Sequence, residues 1–115
     1  MKVLLDHNLP HKLRTGLSVL GSHETVTASY MGWGELKYGD LLRAEQNGFD
    51  VFVTGDQSLV SEQPNLTGRR LAIVALSANN WPIIKNHIPR IHAAIDAAAP
   101  CSVHTVECGA FSRKR

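Results

Sequence analysis

The chain is poor in the features that most quickly betray a function. Of its 115 residues two are cysteines, Cys101 and Cys108, set on one stretch of predicted strand. Along an extended strand they stand too far apart to bridge, which excludes a disulfide framework. Both read as buried or half-buried thiols. No apolar run approaches the ~20 residues of a membrane-spanning helix. Lys2 is followed by only three apolar residues before Asp6, too few for a secretory leader. A soluble, cytoplasmic chain that makes no use of a membrane is the expectation. Charge of one sign is also lacking: without the terminal Arg113, Lys114 and Arg115, nine basic residues face ten acidic ones. The body therefore has no nucleic-acid footprint in its net charge, and residues 112–115 read as a basic, disordered tail. Six histidines are present, but not at zinc-site spacing. His7 and His11 are separated by Pro10, His87 and His92 are poorly placed for one helix face, and His23 and His104 fall on predicted strands, so no structural zinc is expected. Internal repeats, linkers and low-complexity segments are absent.

What is present is a succession of short apolar strands and helices. A chain of this length forms one domain, here residues 1–111, and buries roughly two thirds of its unfolded surface. Val3, Leu4 and Leu5 make a continuous apolar run that suits a strand covered on both faces. Pro10 then opens a helix carrying Leu13, Leu17 and Leu20 at helical spacing, with Gly21 as its stop. His23 to Ser29 reads as a second strand, and "YMGWGELKYG" as a loop. Tyr30 and Trp33 in that loop either stack on bases or cover the core or a partner. Asp40 starts a second helix that Asn47-Gly48 closes. Val51 to Thr54 is the third strand, "SLVSEQ" a short helix, and Leu71 to Leu76 the fourth strand. A last helix, capped by Asn79 or Asn80, repeats Ile84, Ile88, Ile91 and Ile95, with a kink expected at Pro89. Cys101 to Cys108 completes the set as an edge strand. Strands alternating with helices predict an α/β domain: a mainly parallel five-stranded sheet between helical layers.

Three carboxylates then draw the eye. Asp6 directly follows the first buried strand, Asp56 follows the third by one glycine, and Asp40 opens a helix. In parallel sheets all three places face the carboxyl edge, where ligands bind. Separately, Asp40 reads as a helix cap and Asp56 as a turn residue. Asp6, straight after Leu4-Leu5, must be paired, solvated or ligated. Together, three carboxylates repel unless a cation neutralises them, and oxygen-only ligands favour Mg²⁺ or Mn²⁺. Such a site suits metal-dependent phosphodiester hydrolysis. Asn8 either caps the first helix or adds a neutral oxygen, and Glu35 is a weaker acidic candidate.

The stretches "MKVLLDHNLP" and "GDLLRAEQNGFDVFVTGD", and the spacing between them, resemble the PIN-like domains. The likeness is to their small toxin branch, related to VapC-type toxin ribonucleases. It covers residues 1 to 97, and "LLDxNLP" and "VTGD" are its most specific parts. It implies a PIN-like three-layer sandwich and a ribonuclease acting as the toxin of a type II toxin–antitoxin pair. It implies catalytic, metal-binding roles for Asp6, Asp40 and Asp56 around Mg²⁺ or Mn²⁺. RNA would be the substrate, an antitoxin protein the partner and a homodimer the assembly. Asn8, Thr54 and Ser58 are then supporting oxygens, and Lys37, Arg69 and Arg70 candidate phosphate contacts, although scattered solvated charges are the simpler account of those three. The chain departs from the family pattern at Ser58, where a further Asp is usual, and at Gly39, where Ser or Thr is usual. Those departures keep open a PIN-like domain without catalysis that binds protein or RNA. A receiver-type phosphoacceptor domain has a similar α/β fold, but it carries adjacent acids after its first strand, where this chain has Asp6-His7, and a Lys after its fifth strand, where none stands before the tail.

Overall fold

The apolar runs become strands, and the segments between them wind back across the sheet. The computed structural model describes residues 1–7, 9–19, 23–33, 41–55, 70–78, 80–100 and 102–108, with the side chains of Leu41 and Leu42 left aside. In chain order its elements are β1 (Lys2–Leu5), α1 (His11–Val19), β2 (Glu24–Thr27), α2 (Leu41–Gln46), β3 (Val51–Thr54) and β4 (Ala72–Leu76). Then follow α3 (Trp81–Ile84), a 3-10 turn (Lys85–His87), α4 (Ile88–Ala97) and β5 (Val103–Val106). The sheet order is β2-β1-β3-β4-β5, and every pair is parallel. The expected α/β sandwich is present, with a sheet that is wholly rather than mainly parallel. β5 lies at an edge, as its weaker apolar pattern predicts.

Side chains alternate across a strand, so each strand feeds two cores. Val3, Leu5, Val51, Val53 and Val74 face α1, α3 and α4, where Leu13, Leu17, Ile84, Ile91 and Ile95 meet them. Leu4, Phe52 and Ile73 face the other way, onto Ala28, Ala44 of α2, Phe49 and Leu71. With both faces covered, polar alternation has no place in β1, β3 or β4, which is why these segments read as continuous apolar runs.

The Pro89 kink is sharper than a bend. The expected single helix divides into α3, the 3-10 turn and α4, and Pro89 sits in the first turn of α4. Proline has no N–H to donate and clashes with the carbonyl four residues earlier, so the preceding turn tightens and the proline starts a new helix. The isoleucine stripe survives the break: Ile84, Ile91 and Ile95 are buried, and Ile88 packs at the core margin. Asn80 stands at the N-cap of α3 without a side-chain bond, and its carbonyl accepts from the N–H groups of Ile83 and Ile84. Strand ends are shorter than expected, with β2 confined to Glu24–Thr27 and β5 to Val103–Val106. The "SLVSEQ" helix, the Leu20-Gly21 stop, Cys101 and the tail lie outside the described residues.

Gly48 ends α2 as its position predicts, with φ of +86°. No atom lies within 4 Å of where its Cβ would be, so alanine there meets only backbone strain. Gly48→Ala is expected to destabilise the fold by about 1–2 kcal/mol, the cost of an L-residue in the left-handed region. Urea denaturation checks this as a lowered midpoint at unchanged slope.

Candidate functional site

The β1→β2 connection runs to one side of β1 and the remaining strands lie on the other, so strand order reverses between β1 and β3. Ligands of open α/β sheets bind at the carboxyl edge of that point. Leu5 pairs with Val53 in register there. The next residue on β1's side is Asp6 and on β3's side Thr54.

Asp6 is 3% exposed. A carboxylate this deep requires donors, and the fold supplies them. The Thr54 hydroxyl donates to Oδ2 at 2.7 Å, and the backbone N–H of His7 donates to Oδ1 at 2.8 Å. The His7 ring reaches the same Oδ1 at 3.4 Å from its half-exposed position. The main chain is fixed as well: Asp6 N–H donates to Val53 O at 2.9 Å, and Leu9 N–H to Asp6 O at 3.1 Å. An ionised carboxylate has about four lone-pair sites. Among the described residues, Thr54 and the His7 N–H occupy two, which holds the group in one orientation. That donor chemistry fits a hard divalent cation such as Mg²⁺ or Mn²⁺.

Of the residues predicted for the site, the structure brings Asp6 and Thr54 together. Arg70 goes elsewhere. It precedes β4 and lines a pocket of about 370 Å³ with Met1, Glu45, Phe49, Asp50 and Pro100, at the amino edge of the sheet. Strands of 4–5 residues separate that edge from Asp6, a distance of about 15 Å. Asn8, Lys37, Asp40, Asp56, Ser58 and Arg69, like Glu35, lie outside the described residues. α2 begins at Leu41, one residue after Asp40, and the described chain at the end of β3 stops at Gly55.

The aromatic loop divides its roles. Trp33 covers the second core, edge-on to Phe49 at 6.2 Å, with the Arg43 guanidinium 5.7 Å from its ring. Tyr30 is 82% exposed. Cys108 is fully buried, and burial raises its thiol pKa above the ordinary value, leaving it protonated and inert at neutral pH. One grouping went unnoticed in the sequence: His23, His92 and Asp96 gather at the amino edge. Its one sequence signal was the i,i+4 spacing of His92 and Asp96 on a helix.

No protein-family model, curated protein or solved structure matches the chain. No helix among the described residues is long and apolar enough to cross a membrane.

Thr54→Val keeps the shape of the side chain and removes the hydroxyl that holds Asp6. A buried carboxylate oxygen then loses its donor, at an expected cost of about 1.5–3 kcal/mol. Chemical denaturation of the variant measures it.

Proposed function

We propose that the chain is a metal-dependent ribonuclease and the toxin of a toxin–antitoxin pair. The observation that carries the reading is Asp6, a buried and oriented carboxylate at the point where strand order reverses. The sequence adds Asp40 directly before α2 and Asp56 directly after Gly55, and the three would share one Mg²⁺ or Mn²⁺ site. When bound, the cation supplies Lewis-acid activation of water and neutralises charge developing on the phosphate. The protein's own part is positioning. Thr54 prevents rotation of the Asp6 carboxylate, and the His7 N–H holds its second oxygen. Partners that orient a ligand in this way typically change metal affinity or activity 10–100-fold when removed. An antitoxin protein and a second copy of the chain are the proposed partners, and the cytoplasm the proposed place of action.

The test is RNA cleavage by the purified chain, with Mg²⁺ or Mn²⁺ and then with excess chelator. Cleavage that requires the cation is the expected result. Absence of cleavage on every RNA class, with saturable metal binding retained, would favour the reading in which the domain binds RNA or protein without cutting.

One observation also favours the receiver-type reading. The order β2-β1-β3-β4-β5 is the second common order of doubly wound sheets, and receiver domains share it. Against it, β1 delivers Asp6-His7 rather than adjacent acids. Incubation with a small-molecule phosphodonor decides between them: acid-labile incorporation of phosphate at Asp56 would replace the nuclease proposal.

A further inference from the structure

At the amino edge of the sheet, on the far side from Asp6, α4 passes beside the entry to β2. Two histidines distant in sequence meet there over one carboxylate. His23 Nε2 lies 2.5 Å from Asp96 Oδ1, and His92 Nδ1 lies 3.3 Å from Asp96 Oδ2. The two rings are 5.3 Å apart between centroids and tilted by 40°. One ligand atom from each of the three residues lies within 4.8 Å of the other two. The histidine side chains are 10% and 18% exposed, whereas Asp96 is 49% exposed. Nε2 of His92 is buried with no hydrogen-bond partner among the described residues. It lies across the ring from Nδ1, the nitrogen that faces Asp96, and so is not one of the site's ligand atoms.

We infer that His23, His92 and Asp96 form a binding site for a divalent transition metal, with zinc the ion that fits best. Imidazole nitrogens and one carboxylate are borderline donors. They suit Zn²⁺, and they differ from the all-oxygen set proposed at Asp6 for Mg²⁺ or Mn²⁺. Three protein ligands leave a fourth position for water or for a donor from a partner. Tetrahedral zinc with bonds of about 2.0–2.1 Å draws its ligands to about 3.4 Å apart. Closing to that distance draws on small shifts of the two histidine rings as well as of the half-exposed Asp96 side chain. The Met1 amino group donates to His23 Nδ1 at 3.2 Å. With zinc on Nε2, Nδ1 carries the ring hydrogen and the Met1 amino group turns away from it.

The ion would clip α4 to the start of β2, joining residues 69 positions apart in the sequence, His23 and His92. Its role is to fasten the amino edge of the fold, so zinc should protect the native state against heat. This inference does not depend on the nuclease proposal, since the two sites share no residue.

The experiment uses the untagged full chain, stripped with chelator and then dialysed. Zinc chloride is titrated calorimetrically into the native protein, into Asp6→Asn, and into Asp6→Asn combined with His92→Gln or with Asp96→Asn, and melting temperatures are recorded with and without zinc. In Asp6→Asn, where the carboxylate site at β1 cannot compete for the ion, the expected result is one zinc per chain and a melting temperature that rises by several degrees. Affinity for that zinc should fall at least tenfold when His92→Gln or Asp96→Asn is added. Asp96→Asn preserves shape at a half-exposed position, so it reports on binding even if His92→Gln folds poorly. Histidine ring resonances of His23 and His92 should shift on zinc addition, ahead of those of the other histidines. Absence of saturable binding to Asp6→Asn overturns the inference. So does binding that survives both substitutions, which would place the ion on unrelated surface histidines.

Discussion

Phe52→Ala is expected to destabilise the fold by about 3–5 kcal/mol. Phe52 sits in the middle strand of the sheet and is the largest fully buried side chain among the described residues. It points into the smaller of the two cores, with Leu4, Ile73, Phe49 and Ala44 around it. Among the described side chains of α2, Ala44 is the one buried in this core. The cost depends on how far the surrounding side chains close over the cavity that a lost ring leaves. Domains of this size hold about 5–15 kcal/mol in all, so the variant should be partly unfolded at 37 °C. Phe52→Leu, which keeps most of the volume, should cost far less. Urea denaturation of both variants measures the difference. A cost below 1 kcal/mol for the alanine would mean that α2 does not cover this face of the sheet.

Asp6→Asn is expected to leave the fold intact and to abolish metal-dependent RNA cleavage, with a loss of at least a hundredfold. Asparagine keeps the shape and one acceptor oxygen, so a bond from Thr54 or the His7 N–H survives in the 3%-exposed pocket. What it removes is the negative charge, the property needed to hold a hard cation. Asp6→Ala is a different perturbation. It leaves the Thr54 hydroxyl and the His7 N–H without this acceptor, and an unmet buried donor costs about 1–3 kcal/mol. Comparing the two separates what the carboxylate does for the fold from what it does for chemistry. Retained cleavage in Asp6→Asn, with native melting behaviour, would remove Asp6 from the proposed site.

Much of the fold was legible because parallel strands covered on both faces leave a plain trace. Val51 to Thr54 appears as written in the sequence, and Gly48 ends α2 where Asn47-Gly48 announced it. Pro89 marked the right place but not the right magnitude, since a kink and a full break have the same local cause. The division of the core was not legible. Which of Leu4 and Leu5 faces α1 depends on strand register, which a run of apolar residues does not encode. The candidate site was legible at Asp6 because burial of a carboxylate is expensive and therefore informative. Thr54 was legible by its place at the end of β3. The edge to which Arg70 belongs was not legible, because a basic residue near a strand carries no label for which edge of the sheet it serves. The His23–His92–Asp96 grouping was hidden for a different reason. Its members come from an edge-strand entry and a helix that only the tertiary fold brings together, and sequence spacing finds only metal sites whose ligands are close along the chain.

The most direct test of the metal centre is a calorimetric titration of Mn²⁺ into the native chain and into Asp6→Asn, each in its folded state. Saturable binding to the native chain, lost in the variant, is the predicted result. Equal binding by both, or none by either, would contradict a metal centre at the carboxyl edge of β1.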